Sequence, residues 1–214
     1  MPFRSPPDTP RPAPQPEERD GFKFRSGRIA LDLPATLAFR LKAEPRDLLT
    51  APEDLVRWLV AAGLMPDQVA GTGADLLAAR ELREALYRLA WACIHHEPFE
   101  SNDLAVINRW AAEPLPIPQL GAQGLTWSGY GVRAGLAAVA KDGVELLGGP
   151  LAPRVRKCAN KGCAILFVDT SRSGRRRWCS MSACGNKAKV GAFRSRRQKD
   201  RAADGLSGDS ARLD

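Results

Sequence analysis

The sequence predicts a mainly α protein: an N-terminal helical domain with a small β-hairpin, followed by a small treble-clef-like finger built on four cysteines. Three observations carry this. Apolar residues recur at three- and four-residue steps through most of the chain between 52 and 147. Four of the five cysteines fall into two pairs, Cys158/Cys163 and Cys179/Cys184, each with four intervening residues and the pairs fifteen residues apart. The excess positive charge is confined to the segment holding those pairs.

Residues 1–20 are rich in proline and charge and poor in large apolar groups, so they are expected to be a disordered leader, and 202–214 a disordered tail. Between them the sequence divides into a helical domain over 22–150 and a finger over 151–201. Ordered structure is expected to begin at Phe22, and the segment from Gly27 alternates Ile29, Leu31 and Leu33 with Ala30 and Asp32, which predicts a short strand or extended lead-in ended by Pro34, with a short helix over Thr36–Lys42. Asp32, alone among apolar residues, reads as a turn or cap acceptor, or as a polar group in a ligand pocket. Thr50-Ala51-Pro52-Glu53 fits a capping box, in which Thr50 takes the Glu53 amide and Glu53 reaches back. Leu55, Val56, Leu59 and Val60 then form a stripe, Trp58 falls beside it, and Gly63 stands where a helix ends.

The longest helical pattern runs from Ala74 to His96, with Leu82, Ala85, Leu86, Leu89 and Cys93 inward and Glu81, Arg83, Glu84 and Arg88 outside the stripe. Cys93 reads as a buried, inert thiol. His95 and His96 stand where a positive charge suits the helix dipole, with no metal-ligand partners in view. Ser101 opens a helix to about Ala112, with Leu104, Ile107 and Trp110 or Ala111 inward. Alternate prolines at 114, 116 and 118 break the pattern, and Ile117–Leu120 with Leu125–Trp127 around Gly121–Gly124 predicts a loose hairpin. A last helix spans Val132–Leu147, with Leu136, Val139, Ala140, Val144 and Leu147 inward. Gly148-Gly149-Pro150 ends it and marks the domain boundary.

No run approaches the ~18 apolar residues of a membrane span, and the first residues lack the apolar core of a secretory signal. A cytoplasmic protein is therefore expected. In that reducing setting closely spaced cysteines read as metal ligands rather than disulfides. The helical domain shows no nucleophile triad, phosphate loop or paired carboxylates, and no enzyme activity is expected. It is assigned two candidate roles: sensing a small-molecule effector, and pairing two copies as a homodimer.

The finger segment has little apolar mass, and segments of this size usually need a metal to fold. Four thiolates make a closed tetrahedral site for one structural Zn²⁺, with ligands Cys158, Cys163, Cys179 and Cys184 and no open position for catalysis. The apolar run Ala164–Val168 predicts a strand, Ser171–Gly174 a turn, Arg175–Trp178 the returning strand, and Cys184-Gly185-Asn186-Lys187 the start of a helix reaching about Arg197. Leu151 to Arg201 holds fifteen Lys/Arg against Asp169 and Asp200, a net +13. The remainder, with 17 basic and 22 acidic residues, carries −5. Basicity this local points to a polyanionic partner, DNA. The candidate contacts are Arg175, Arg176 and Arg177 on the hairpin, Asn186 and Lys187 at the helix start, and Lys189, Arg194, Arg196, Arg197 and Lys199 along it. Asn186 is the one uncharged group there able to read a base, or else it bonds the knuckle backbone. A finger whose charge binds an acidic protein partner is the alternative.

The run RKC…C…LFVDTSR…RRWCSM…CGNKAKV resembles the CGNR zinc finger, and the upstream ALDL, DLVRWLVAAGL and ARELREALYRL stretches are similar to the ABATE domain that commonly precedes it. That resemblance implies a bacterial, stress-related transcription regulator in which the four cysteines hold zinc. Lys187 stands in place of the arginine of the signature, which keeps the charge but loses the planar fork. Pro34-Ala35-Thr36 lacks the asparagine usual near the start of the ABATE domain.

Overall fold

The computed structural model describes residues 16–66 and 69–207, with backbone alone for Ala192 and 198–207. The expectations for 1–15 and 208–214 lie outside the described residues, whereas 202–207, expected in the disordered tail, continue the last helix. Order begins before Phe22: Glu18–Arg19 (β1) pairs antiparallel with Phe22–Lys23 (β2). The described residues are mostly helical, with short strand pairs only among them.

The stretch from Gly27 differs from its expectation. Ile29–Asp32 is a helical turn (α1), Pro34–Thr36 a 3₁₀ turn, and Leu37–Ala38 a strand (β3) pairing with Arg46–Asp47 (β4) rather than a helix. The cause is tertiary. The Asp142 carboxylate, 112 residues away, accepts from the Ala30 amide at 2.9 Å and from Arg28 Nε at 2.7 Å. An acceptor at a helix start satisfies amides that would otherwise be orphaned.

The helix Pro52–Ala61 (α2) does not start on the expected Thr50 box: its N-cap is Ala51, whose side chain accepts no amide, and only the carboxylate half of the box is made. Asp54, not Glu53, reaches back to the Thr50 and Ala51 amides, and the Thr50 hydroxyl donates to it. Gly63, at φ +75°, ends the helix in the left-handed conformation that favours glycine. Trp58 is fully buried and stacks on Phe24.

Gly73–His95 (α3) starts on a Thr72–Asp75 capping box and ends on His96 at φ +57°. Leu82, Ala85, Leu86 and Leu89 are buried as the stripe predicts. Arg83 is buried too, against expectation. It lies on the Asp47 carboxylate at 2.6 and 3.0 Å, a charged pair that ties α3 to β4. Cys93 is half-buried rather than buried, donates to the Ala152 carbonyl, and its thiol is pushed up by burial.

Ser101–Ala111 (α4) buries Ile107 and Trp110, while Leu104 is exposed. The predicted hairpin forms, Ile117–Gly121 (β5) with Gly124–Ser128 (β6). Val132–Leu147 (α5) has the predicted bounds and packs against α1, α2, α3 and α4. Val144, expected inward, is exposed, and Leu146 takes its place in the core. Close approach requires Gly143, where a Cβ would lie 2.6 Å from Leu86. Each buried leucine of this core contributes roughly 1.5–3 kcal/mol. Among the described residues no helix is long and apolar enough to cross a membrane.

The finger's strands are not those expected. Leu166–Val168 (β8) pairs with Val155–Lys157 (β7), and Arg175–Trp178 forms no strand. The alternation of β8 serves two cores. Leu166 and Val168, with Val155, join the helical core, while Ile165 and Phe167 face the cysteines. A 3₁₀ turn, Ala152–Arg154, leads in, and a π turn, Met181–Gly185, precedes the long helix Asn186–Ser207 (α6), which runs past Arg197.

Candidate metal centre and nucleic-acid interface

The four predicted cysteines come together, and Cys93 does not join them. The sulfurs of Cys158, Cys163, Cys179 and Cys184 all lie within 4.8 Å of one another, with Cys163–Cys179 and Cys179–Cys184 each at 3.8 Å. Four sulfurs ~2.3 Å from a central zinc stand about 3.8 Å apart in a tetrahedron, so the donor set fits Zn²⁺. Cys158, Cys179 and Cys184 are buried and Cys163 half-buried, which leaves no route for an open fifth ligand. The crowding has a charge cost. S–H donation from Cys163 and Cys179 draws the Cys158 thiol far down, with help from the Cys179 and Asn160 amides, and these same contacts push Cys163 and Cys179 up. Only a cation lets all four ionise together. The residues therefore fit one structural zinc ion.

Local structure positions each pair. The first knuckle is the loop closing the β7–β8 hairpin. Cys158 N donates to Ile165 O, Cys163 N to Asn160 O, and the Asn160 side chain accepts from Gly162 N at 3.1 Å, so an asparagine shapes the turn for which Gly162 was the sequence candidate. In the second, Ser180 caps the π turn through the Ala183 amide, and Gly185 N donates to Ser180 O. A Cβ on Gly185 would meet the Met181 sulfur at 2.9 Å.

Three residues outside the cysteine pattern brace this centre. Asp169 is buried and accepts from the Ser171 hydroxyl and amide and from the Arg176 amide, and these donors, the hydroxyl foremost, hold its carboxyl below the usual range. Arg176 donates to the Trp178 and Cys179 carbonyls and lies over the Phe167 ring. Glu17 accepts from the Ser180 and Ser182 hydroxyls. Burial opposes its charge, but those hydroxyls with Arg25 and Arg176 keep its carboxyl below the ordinary value. Asp169 carried a signal: it is the one acid between Leu151 and Lys199. Glu17, assigned to the leader, carried none.

The candidate nucleic-acid residues separate. Arg176 is committed to carbonyls inside the finger. Arg175 and Arg177 are exposed, with Arg177 over the Trp178 ring. Asn186 donates to Ser182 O at 3.0 Å, the backbone role. Lys187, Lys189, Arg194, Arg196 and Arg197 are exposed along α6, and the Lys199 side chain lies outside the described residues. Helical spacing sets Lys187, Val190, Arg194 and Arg197 on one face with Phe193, and both apolar members are exposed.

Lys187 also lines a cleft of about 100 Å³ between the finger and the helical domain, with Lys23, Pro34, Ala35, Ile165 and Cys184. At the seam Val168 N donates to Ser26 O, and Asp32 is buried beneath that loop, accepting from Ser26 N at 3.0 Å. Burial raises the Asp32 carboxyl to about 7. The cap-acceptor reading of Asp32 is the one this geometry fits.

A family model described as ABATE, "putative stress-induced transcription regulator", matches residues 27–150, and the CGNR zinc finger model matches residues 154–197. No curated protein matches the chain.

Proposed function

The chain belongs to the ABATE family and carries a CGNR zinc finger after that domain, and from that premise we propose a zinc-dependent, DNA-binding transcription regulator. The observation that carries this is α6. It leaves the metal centre directly after the last cysteine and presents Lys187, Lys189, Arg194, Arg196 and Arg197 to solvent. A helix of 22 residues spans about 33 Å, and a helix fits the major groove of duplex DNA. The cations supply affinity through counterion release, and Val190 and Phe193 offer apolar contact to thymine methyls. Zinc sets the direction in which α6 leaves the body. The helical domain is the sensing or dimerising unit, and the stress-induced character follows the family description.

Titrating zinc-loaded protein into fluorescent duplex DNA at several salt concentrations tests the reading. Six phosphate contacts give a log–log slope of about −5. Genome-wide capture of bound DNA should lose its specific peaks in Cys179→Ser. A salt-independent interaction, or a nuclease-resistant protein complex in place of DNA, would favour the acidic-partner alternative.

A further inference from the structure

The β5–β6 hairpin plays no part in the metal centre or its basic helix, and it presents a surface of its own. Its register pairs Pro118 with Trp127 and Leu120 with Leu125. Cross-strand partners and alternate residues share a face, so these four form one wholly apolar side, with Ile117, Gln119, Thr126 and Ser128 on the other. The apolar side faces solvent: Leu120 is 92% exposed, Leu125 67% and Trp127 46%. Tyr130 extends the patch, its ring 6.5 Å from that of Trp127. A two-stranded hairpin with one apolar face open to water is marginal by itself.

We infer that this face is a dimerisation surface whose partner is a second copy of the chain. Charge selects that occupant. From Pro114 to Gly131 there is no Asp, Glu, Lys or Arg, in a chain that is 26% charged. Such a patch offers nothing to an acidic or basic partner. It also meets no like-charge repulsion when a two-fold axis brings it onto itself, as an isologous interface requires. The amount of surface agrees. Leu120, Leu125 and Trp127, with Tyr130 beside them, are all exposed, and together they offer on the order of several hundred Å² of the ~800 Å² each partner gives in a stable interface. Leu120 and Leu125 lie against their symmetry mates with the Trp127 and Tyr130 rings beside them. Since Pro118 interrupts the amides of β5, any extension of the sheet runs through β6.

Sedimentation equilibrium of the full-length, zinc-loaded chain tests this. The wild type should weigh twice 23.2 kDa. Leu120→Asp and Leu125→Asp should each weaken association at least ~10-fold, and the double variant should be a folded monomer whose melting midpoint no longer depends on protein concentration, as that of the wild type does. In the wild type alone, hydrogen-exchange protection of the 117–128 amides should rise with protein concentration. A wild type monomeric to about 100 µM, a dimer that the double variant leaves intact, or concentration-dependent protection elsewhere but not here would each overturn the assignment.

Discussion

The helical body and the finger are held together by different physics. The body buries apolar residues of α1, α2, α3 and α4 around α5, and among the described residues it holds no metal-ligand cluster. The finger's own core is three cysteines with Ile165 and Phe167, backed by Ala35, Cys163 and Trp178. That is too little apolar surface to offset the entropy of ordering it. The metal supplies the difference, and docking on the body supplies more through Val155, Leu166 and Val168. A small domain can thus be stabilised from two sides, by a charge centre on one strand face and by a neighbour's core on the other.

The largest effect should come from removing zinc. Structural zinc contributes on the order of 10–16 kcal/mol, so a strong chelator, or Cys179→Ser, should abolish exchange protection over β7, β8 and the start of α6. Protection of Leu82–Leu89 and Leu136–Ala140 should persist. Unfolding of both regions in one step would show that the body is not independent.

Next come the two faces of β8. Phe167→Ala should cost about 3–5 kcal/mol and Leu166→Ala about 2–5 kcal/mol, but in different places. The first should weaken zinc retention against a competing chelator while the body melts as before. The second should lower the body's melting midpoint even with zinc saturating. Identical effects would erase the distinction between the two cores.

Asp32, at the seam, should give a smaller and pH-dependent effect. Its folded pKa is raised to about 7 by burial, so the folded state holds a proton that the unfolded chain releases near 4. Its ionisation therefore removes stability as pH rises between those values. Asp32→Asn should gain stability relative to wild type from pH 5 to pH 8, read as the difference between the two melting midpoints. A difference that stays flat would refute the shift.

The smallest change in stability should come from Lys187→Ala with Arg194→Ala, both exposed. Their melting midpoint should match wild type, while the salt slope of DNA binding should flatten by about 2.

Local chemistry made much of this legible. Gly148-Gly149-Pro150 and the alanine-rich repeat define α5 correctly because its signals lie within its own sequence. The four cysteines define the metal centre for the same reason. The α1 turn escaped because its cap is Asp142, far along the chain. Arg83 read as surface because its partner Asp47 lies in another element. The strand Val155–Lys157 was missed since two of its three residues are charged and it has meaning only opposite Leu166–Val168. Arg176 counted as one more cation until its carbonyl partners were in place.

The double service of β8 sets a rule for chain length. Substitutions at 164–168 act on one core at a time. One codon inserted between Cys163 and Leu166 would turn Leu166 and Val168 toward the sulfurs and Phe167 toward the helices, damaging both cores at once. The same codon inserted at Ala122–Gln123, the exposed tip of the β5–β6 hairpin, would touch neither.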